Sequence, residues 1–174
     1  MRKSSNTDAV DWETIYWEQL PRLYNFFRYR TGDSDTAQDL TAQTWMRAWR
    51  FREKYRRDLG AFEAWLFQIG RNIANDYLRE QYRAPLSLEY LGTLPAEFSV
   101  EAEVQKKQDA QRLYYLLSQL PSHEQEIIAL KYGAELTNRA IAAVLNLSES
   151  NVGTMLHRTI QKLRQQWEMT YVRE

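Results

Sequence analysis

Apolar residues along this chain recur at steps of three and four, the spacing that gathers them on one face of an α-helix. Leu20, Leu23, Tyr24 and Phe27 form the first stripe, and the run TGDS at Thr31 to Ser34 ends that helix and caps the next. Ala37, Leu40, Thr44, Ala48 and Phe51 stripe a second helix, from about Ser34 to Tyr55. A polar break, RRDLGAF with Gly60, follows, and Phe62, Trp65, Leu66, Ile69, Ile73 and Tyr77 stripe a third helix that ends near Arg83. The periodicity then dissolves between Ala84 and about Glu103, where Pro85, Gly92 and Pro95 punctuate the chain. Leu86, Leu88, Tyr90, Leu91, Leu94 and Phe98 make this a linker with adhesive points, able to pack between domains. Leu113, Leu116, Leu117 and Leu120 open a second helical unit, and Pro121 with Ser122 starts another helix, Ser122 and Gln125 being spaced as a capping box. Strand alternation is nearly absent. The expectation is an all-α chain of two small helical domains, residues 9–83 and 109–170, joined by a linker at 84–108.

The second domain carries the pattern of a helix-turn-helix between Leu120 and Arg164. Thr137 caps a short helix with Ile141, Ala142 and Leu145, and the small Ala142 lets two helices cross closely. Asn146 stands at the turn, where a left-handed backbone is needed and asparagine is second to glycine in tolerating it. Ser148 caps the next helix, whose buried stripe is Val152, Leu156, Ile160, Leu163 and Trp167. That leaves Ser150, Asn151, Thr154, Met155 and Arg158 on the outer face near the start, where a recognition helix meets base edges. Thr137, Arg139 and Ser148 complete the candidate duplex-DNA set; Asn151 and Thr154 can hydrogen-bond bases, and Met155 can touch a thymine methyl. A helical hairpin packed in a bundle is the plainer alternative, but cap, small residue, turn and second cap all fall in register. Arg158 is the only base near the start of that face, so this helix alone attracts phosphate weakly.

Composition narrows the class. Hydrophobic residues make up 44% of the 174, enough for a globular core, and no apolar run approaches a membrane span. The first residues, MRKSSNTDAVDWE, have no signal-peptide core, and without cysteine there is no disulfide, thiolate nucleophile or Cys-based zinc site. A soluble cytoplasmic protein is expected. His123 and His157 lie far apart with no ligand set, and neither a Ser/His/Asp arrangement nor a Gly-rich phosphate loop occurs, so no enzyme, cofactor or metal is expected. Lys and Arg total 23 against 23 Asp and Glu, whereas a protein that binds DNA unaided usually has a basic excess. The balance is local: Arg47, Arg50, Arg52, Lys54, Arg56 and Arg57 face one acid, Glu53, while Asp8, Asp11, Glu13, Glu18, Asp33, Asp35 and Asp39 gather earlier. Two surfaces with different partners fit this division.

Three runs carry a family resemblance: LYNFFRYRTGDSDTAQDLTAQTWMRAWR, FEAWLFQIGRNIANDYLREQYR and the helix-turn-helix segment. Residues 20–83 and 110–168 resemble a sigma-70 family sigma factor of the extracytoplasmic-function (ECF) group, which keeps only regions 2 and 4. The resemblance implies a transcription initiation factor that binds core RNA polymerase and promoter DNA, duplex and melted, and that is held by an anti-sigma factor. It implies a cytoplasmic place, on the nucleoid when bound to polymerase. The helix Asp35 to Arg50 would grip the coiled coil of the largest-subunit clamp through Asp35, Asp39, Leu40, Gln43, Trp45 and Arg47, with core as the alternative reading of Leu40 and Trp45. The segment Tyr55 to Phe62 and the following helix would open the minus-ten element through Tyr55, Arg56, Arg57, Phe62, Arg71, Asn72, Asn75, Asp76 and Arg79. Aromatic faces, bases and amides are what capture of a separated strand requires. Trp65 falls on the apolar stripe and reads as core. The helix-turn-helix would read the minus-thirty-five element. Against the family pattern, Ala42, Gln43, Ala140, Asn146, Gly153 and Met155 are departures, and Gly153 suggests a close approach to the backbone or to a partner. The competing classes are a stand-alone helix-turn-helix regulator, which leaves the aromatic-basic loop unexplained, and an all-helical adaptor that binds only proteins.

Overall fold

The computed structural model describes residues 11–56, 61–83 and 101–171. Helix α1 (Trp12–Thr31) starts at Asp11, whose carboxylate accepts from the Thr14 N–H at 3.2 Å, and ends where Gly32 takes a φ of 71°. Helix α2 (Ser34–Arg50) follows at once, capped by Asp33, which accepts from the Thr36 N–H at 2.7 Å. It stops short of the predicted Tyr55. Arg52–Lys54 tighten into a 3-10 turn, and the Arg52 guanidinium satisfies an end carbonyl by donating to Trp49 O at 2.9 Å. Helix α3 (Phe62–Arg83) completes the first domain.

Helix α4 (Glu101–Ser118) begins inside the stretch expected to be linker. The linker residues Leu86 to Phe98 lie outside the described residues. Helix α5 (Ser122–Ile128) runs into a π-helical turn, Ala129–Gly133, and α6 (Asn138–Leu145) and α7 (Glu149–Tyr171) form the helix-turn-helix. The predicted capping box is absent: Pro121 is the N-cap, without a side-chain hydrogen bond, and Ser122 and Gln125 serve a distant arginine instead. No strand occurs among the described residues.

The apolar stripes meet as their spacing requires. Leu23, Phe26, Phe27, Ala37, Leu40, Ala48, Leu66, Phe67, Ile73 and Ala74 are buried among α1, α2 and α3. Gly70 lets α3 cross α1 closely, for a Cβ there would lie 3.1 Å from Leu23 Cδ1. In the second domain Leu117, Leu120, Ile127, Leu130, Leu136, Ile141, Val144, Val152 and Leu156 are buried. The two groups form one continuous cluster, because α1 lies directly against the π turn.

Asp33 offers a test of the first domain's local energetics. Hydrogen bonds from Thr36, its side chain first and its backbone second, hold the Asp33 carboxyl below its ordinary value. A lowered folded pKa adds stability that is present above the unfolded pKa, about 3.9, and is lost as pH falls through the folded value. Asp33→Ala is expected to cost about 1 kcal/mol at neutral pH, with the gap to the parent closing in acid. Urea unfolding across pH checks this, and a gap that stays constant in acid contradicts it.

Candidate functional site

Where α2 gives way to α3, the chain gathers aromatic rings. Phe62, the first residue of α3, packs edge-on against Tyr55 at 5.3 Å between centroids and lies tilted against Trp65 at 5.5 Å. Trp12, from the first turn of α1, closes the group at 5.4 Å from Phe62, 6.4 Å from Trp65 and 5.8 Å from Trp49. Tyr55 and Phe62 are half-buried, so their rings are supported from behind yet accessible. Trp65 is half-buried too, against the core and Tyr55, not sealed within it. Bases surround the cluster: Arg52 lies 4.4 Å from the Trp49 ring centroid and Lys54 4.8 Å from that of Phe51, while Arg56 and Arg47 are exposed. Arg57 lies outside the described residues. Rings with adjoining cations suit base stacking and phosphate attraction. Trp12 escaped the sequence reasoning because it sits 37 to 53 residues from its partners in the chain and off the first apolar stripe.

The polar residues expected on one outer face of α3 divide between two. Asn72, Asp76 and Arg79 are exposed, with Asp76 and Arg79 paired at 3.5 Å. Arg71 turns toward the second domain and Asn75 toward the end of α1. Arg71 Nε donates to Glu126 Oε1 at 2.9 Å, and Asn75 Oδ1 accepts from Arg30 Nη2 at 3.0 Å. Arg30 itself is 2% exposed; its Nη1 donates to Ser122 O at 3.0 Å and to Gln125 Oε1 at 3.2 Å. Burial lowers the Arg30 pKa from its ordinary value, and the Glu126 carboxylate opposes that shift. Nothing in the local sequence marks an arginine at a helix end as buried. The partners that make it possible lie 92 and 95 residues away.

On α2, Asp35, Asp39, Gln43 and Arg47 are exposed along the outward flank, available to a partner helix. Leu40 and Trp45 are not: at 3% and 9% exposure they belong to the core, because they share the inward face with Ala37, Thr41, Thr44 and Ala48. Trp45 does line, with Tyr16, Leu20, Tyr24, Thr41 and others, an apolar groove of about 470 Å³ between α1 and α2. Met46, 66% exposed and one turn beyond Gln43, is the apolar side chain presented on the outer flank in place of the buried Leu40. Its place three residues after Gln43 was the available signal.

The helix-turn-helix has the expected joints. Thr137 caps α6 by accepting from the Ala140 N–H at 3.1 Å, and Ser148 caps α7 by accepting from the Asn151 N–H at 3.1 Å. Asn146 takes a φ of 55° at the turn, and Ala142 is buried at the crossing. Arg139, Ser150, Asn151, Thr154 and Arg158 are exposed. Met155 is half-buried and packs against the core, which leaves only part of it for a ligand. Within the chain Gly153 serves no close approach, since a Cβ there would meet only Asn138 Nδ2, at an ordinary 3.9 Å. Among the described residues no three His, Asp or Glu side chains converge on a metal-sized site, and no helix is long and apolar enough to cross a membrane.

Residues 15–84 match the family model described as Sigma-70 region 2, and residues 110–163 match Sigma-70, region 4. The chain is similar to the ECF RNA polymerase sigma factor SigM of Bacillus subtilis, 29% identical over 153 residues, which cover 87% of this chain and 92% of that one. It is similar to SigL of Mycobacterium tuberculosis, an ECF RNA polymerase sigma factor, at 28% over 159 residues, 90% and 89% of the two chains. In fold it is similar to the sigma factor RpoE of Bartonella quintana, solved with the anti-sigma factor NepR, with a TM-score of 0.72 at 22% identity over 91% of this chain and 97% of that one. CnrH, solved with the cytosolic domain of CnrY, gives 0.68 at 22% identity over 90% and 87%.

The aromatic cluster predicts that Trp12→Ala leaves the helices intact while freeing Phe62 and Trp65. The expected cost is about 1–3 kcal/mol, below that of a sealed Trp→Ala change, with a loss of near-ultraviolet circular dichroism from the packed rings. A near-ultraviolet spectrum like the parent's, once the Trp12 contribution is allowed for, contradicts the packing role.

Proposed function

The chain belongs to the sigma-70 family of RNA polymerase sigma factors, in its ECF group, and from that premise we propose how its surfaces divide the work of directing polymerase to promoters. The exposed flank of α2, with Asp35, Asp39, Gln43, Met46 and Arg47, docks the clamp coiled coil of core polymerase. The α2–α3 junction and the outer face of α3, with Tyr55, Arg56, Arg57, Phe62, Asn72, Asp76 and Arg79, capture the separated minus-ten strand; Arg71 joins them once released from Glu126, and Asn75 once released from Arg30. The helix-turn-helix reads the minus-thirty-five duplex with Arg139, Ser150, Asn151, Thr154 and Arg158, and with the exposed part of Met155. Thr137 and Ser148 orient the two helices and present backbone N–H groups to phosphate.

The observation that carries this reading is the aromatic cluster with its ring of bases, placed in the same chain as a duplex reader. Duplex recognition has no use for half-buried rings at a loop, whereas an extruded base is stabilised by them at a strand-opening cost of about a few kcal/mol. A stand-alone helix-turn-helix regulator leaves that cluster without a role. Phosphodiester chemistry belongs to the polymerase. The protein works in the cytoplasm, on the nucleoid when polymerase-bound, and an anti-sigma factor is the partner that holds it in reserve, as NepR and CnrY accompany the two solved relatives.

The test is transcription in vitro with bacterial core polymerase, with and without this protein, across a promoter library. A promoter-directed transcript is expected; no core binding and no transcript would end the reading. Phe62→Ala is expected to keep core binding and to lower open-complex formation by about tenfold or more, the loss of one base–aromatic contact of about 1–3 kcal/mol. Permanganate reactivity of the bubble reads this out, and an unchanged footprint tells against strand capture by Phe62.

A further inference from the structure

The C-terminal ends of α1, α3 and α4 meet α5 around a cleft of about 200 Å³, and tyrosine rings make much of its wall. Tyr29 of α1 and Tyr114 of α4 stand edge to face at 6.3 Å between centroids, and α3 contributes Tyr77 and Tyr82. Among the described residues none of these four hydroxyls has a hydrogen-bond partner. Arg30 is the one charged side chain among the described residues of the wall, and it is 2% exposed.

That buried charge lacks a counter-ion. Its Nη1 and Nη2 donate only to neutral oxygens, those of Ser122, Gln125 and Asn75, and its Nε–H has no acceptor among the described residues. Glu126, the carboxylate that bears on Arg30, is bonded to Arg71 Nε at 2.9 Å and forms no ion pair with Arg30. A buried cation held by neutral dipoles alone is costly, and an anion placed beside it offsets the cost. Arg28, its guanidinium 4.8 Å from the Tyr114 ring centroid, adds a second positive charge next to the wall.

We propose that this cleft binds a small aromatic carboxylate, its carboxylate toward the Arg30 charge and the tyrosine hydroxyls, its ring among Tyr29, Tyr77, Tyr82 and Tyr114. The cleft is smaller than the roughly 300 Å³ at which sites for drug-sized ligands begin, so the molecule has a single ring. Aromatic walls favour another ring, edge-on or offset. Phosphate is the poorer match, because it calls for several N–H donors and Arg30 has one unpartnered N–H. Four helices line the cleft, so an occupant stabilises the folded chain by mass action. No wall residue belongs to the surfaces assigned to polymerase or DNA, and the site therefore goes beyond promoter reading.

Benzoate is the probe, titrated into the full chain and followed by the resonances of isotope-labelled tyrosine rings and by Tm. Benzyl alcohol supplies the ring without the charge, acetate the charge without the ring, and inorganic phosphate the competing anion. Benzoate is expected to bind with a Kd of about 1 mM or tighter, at least about tenfold tighter than each control, and to raise Tm. Tyr82→Ala removes an 87% exposed ring without touching the core, and should weaken benzoate about threefold or more. Arg30→Gln keeps a hydrogen-bonding side chain without the charge, and should weaken it about tenfold or more; if that variant does not fold, Tyr82→Ala decides. Benzoate that binds no tighter than benzyl alcohol, acetate or phosphate overturns the proposal. So does benzoate binding that Tyr82→Ala leaves unchanged.

Discussion

Helix α1 is buried on more than one face, and no single domain can cover such a helix. Leu23, Phe26 and Phe27 are wholly buried, with Leu23 against Gly70 of α3, Phe26 edge-on to Phe67, and the backbone at Asn25 and Phe26 against Gly133. A helix enclosed this far has to satisfy any polar side chain it carries inside. Gln19 is met by Arg22 at 3.1 Å, and Arg30 by carbonyl and amide oxygens from both domains. The polar bonds are therefore consequences of burial, since an unpaired buried guanidinium would cost far more than the bonds return. Everything placed on the outside of the molecule, including the aromatic junction and the exposed flank of α2, takes its position from that enclosed helix.

What could be read from the chain alone divides along the same line. Period, caps and turn chemistry are local, so the helices, the Gly32 and Asn146 turns and the Thr137 and Ser148 caps were legible. Features decided by distant partners were not. Ser122 and Gln125 have capping-box spacing, yet Arg30, some 92 residues earlier, claims them. Arg71 and Asn75 stand four residues apart as a helical face should, yet that face meets Glu126 and Arg30. Leu40 and Trp45 are ambiguous on a helix wheel with Asp39 and Gln43, and only packing against α1 and α3 places them inside. The π turn at Ala129–Gly133 has no local signature; it exists where α5 meets the α1 backbone.

The distribution of charge now has a structural counterpart. The bases after Arg47 stand over rings, Arg52 on Trp49 and Lys54 on Phe51, which fixes them beside the aromatic junction at little entropic cost. The outer face of α7 offers hydroxyls and amides with few cations. Such a face carries groups able to read base edges with little attraction for phosphate. A zero net charge suits a protein that ought not to wander onto DNA alone.

The pairing of Arg71 with Glu126 carries one more consequence, which concerns ionic strength. Glu126 is 9% exposed at its side chain and Arg71 33%, so dissolved ions screen their attraction poorly. A phosphate approaching the same guanidinium comes through solvent and is screened in full, its attraction weakening steeply as salt rises. The inward partner of this side chain is thus the one that salt disturbs least. Concentrating the electrolyte around this protein therefore leaves the Arg71–Glu126 pair largely in place while it weakens the hold of any solvent-borne anion on the same guanidinium.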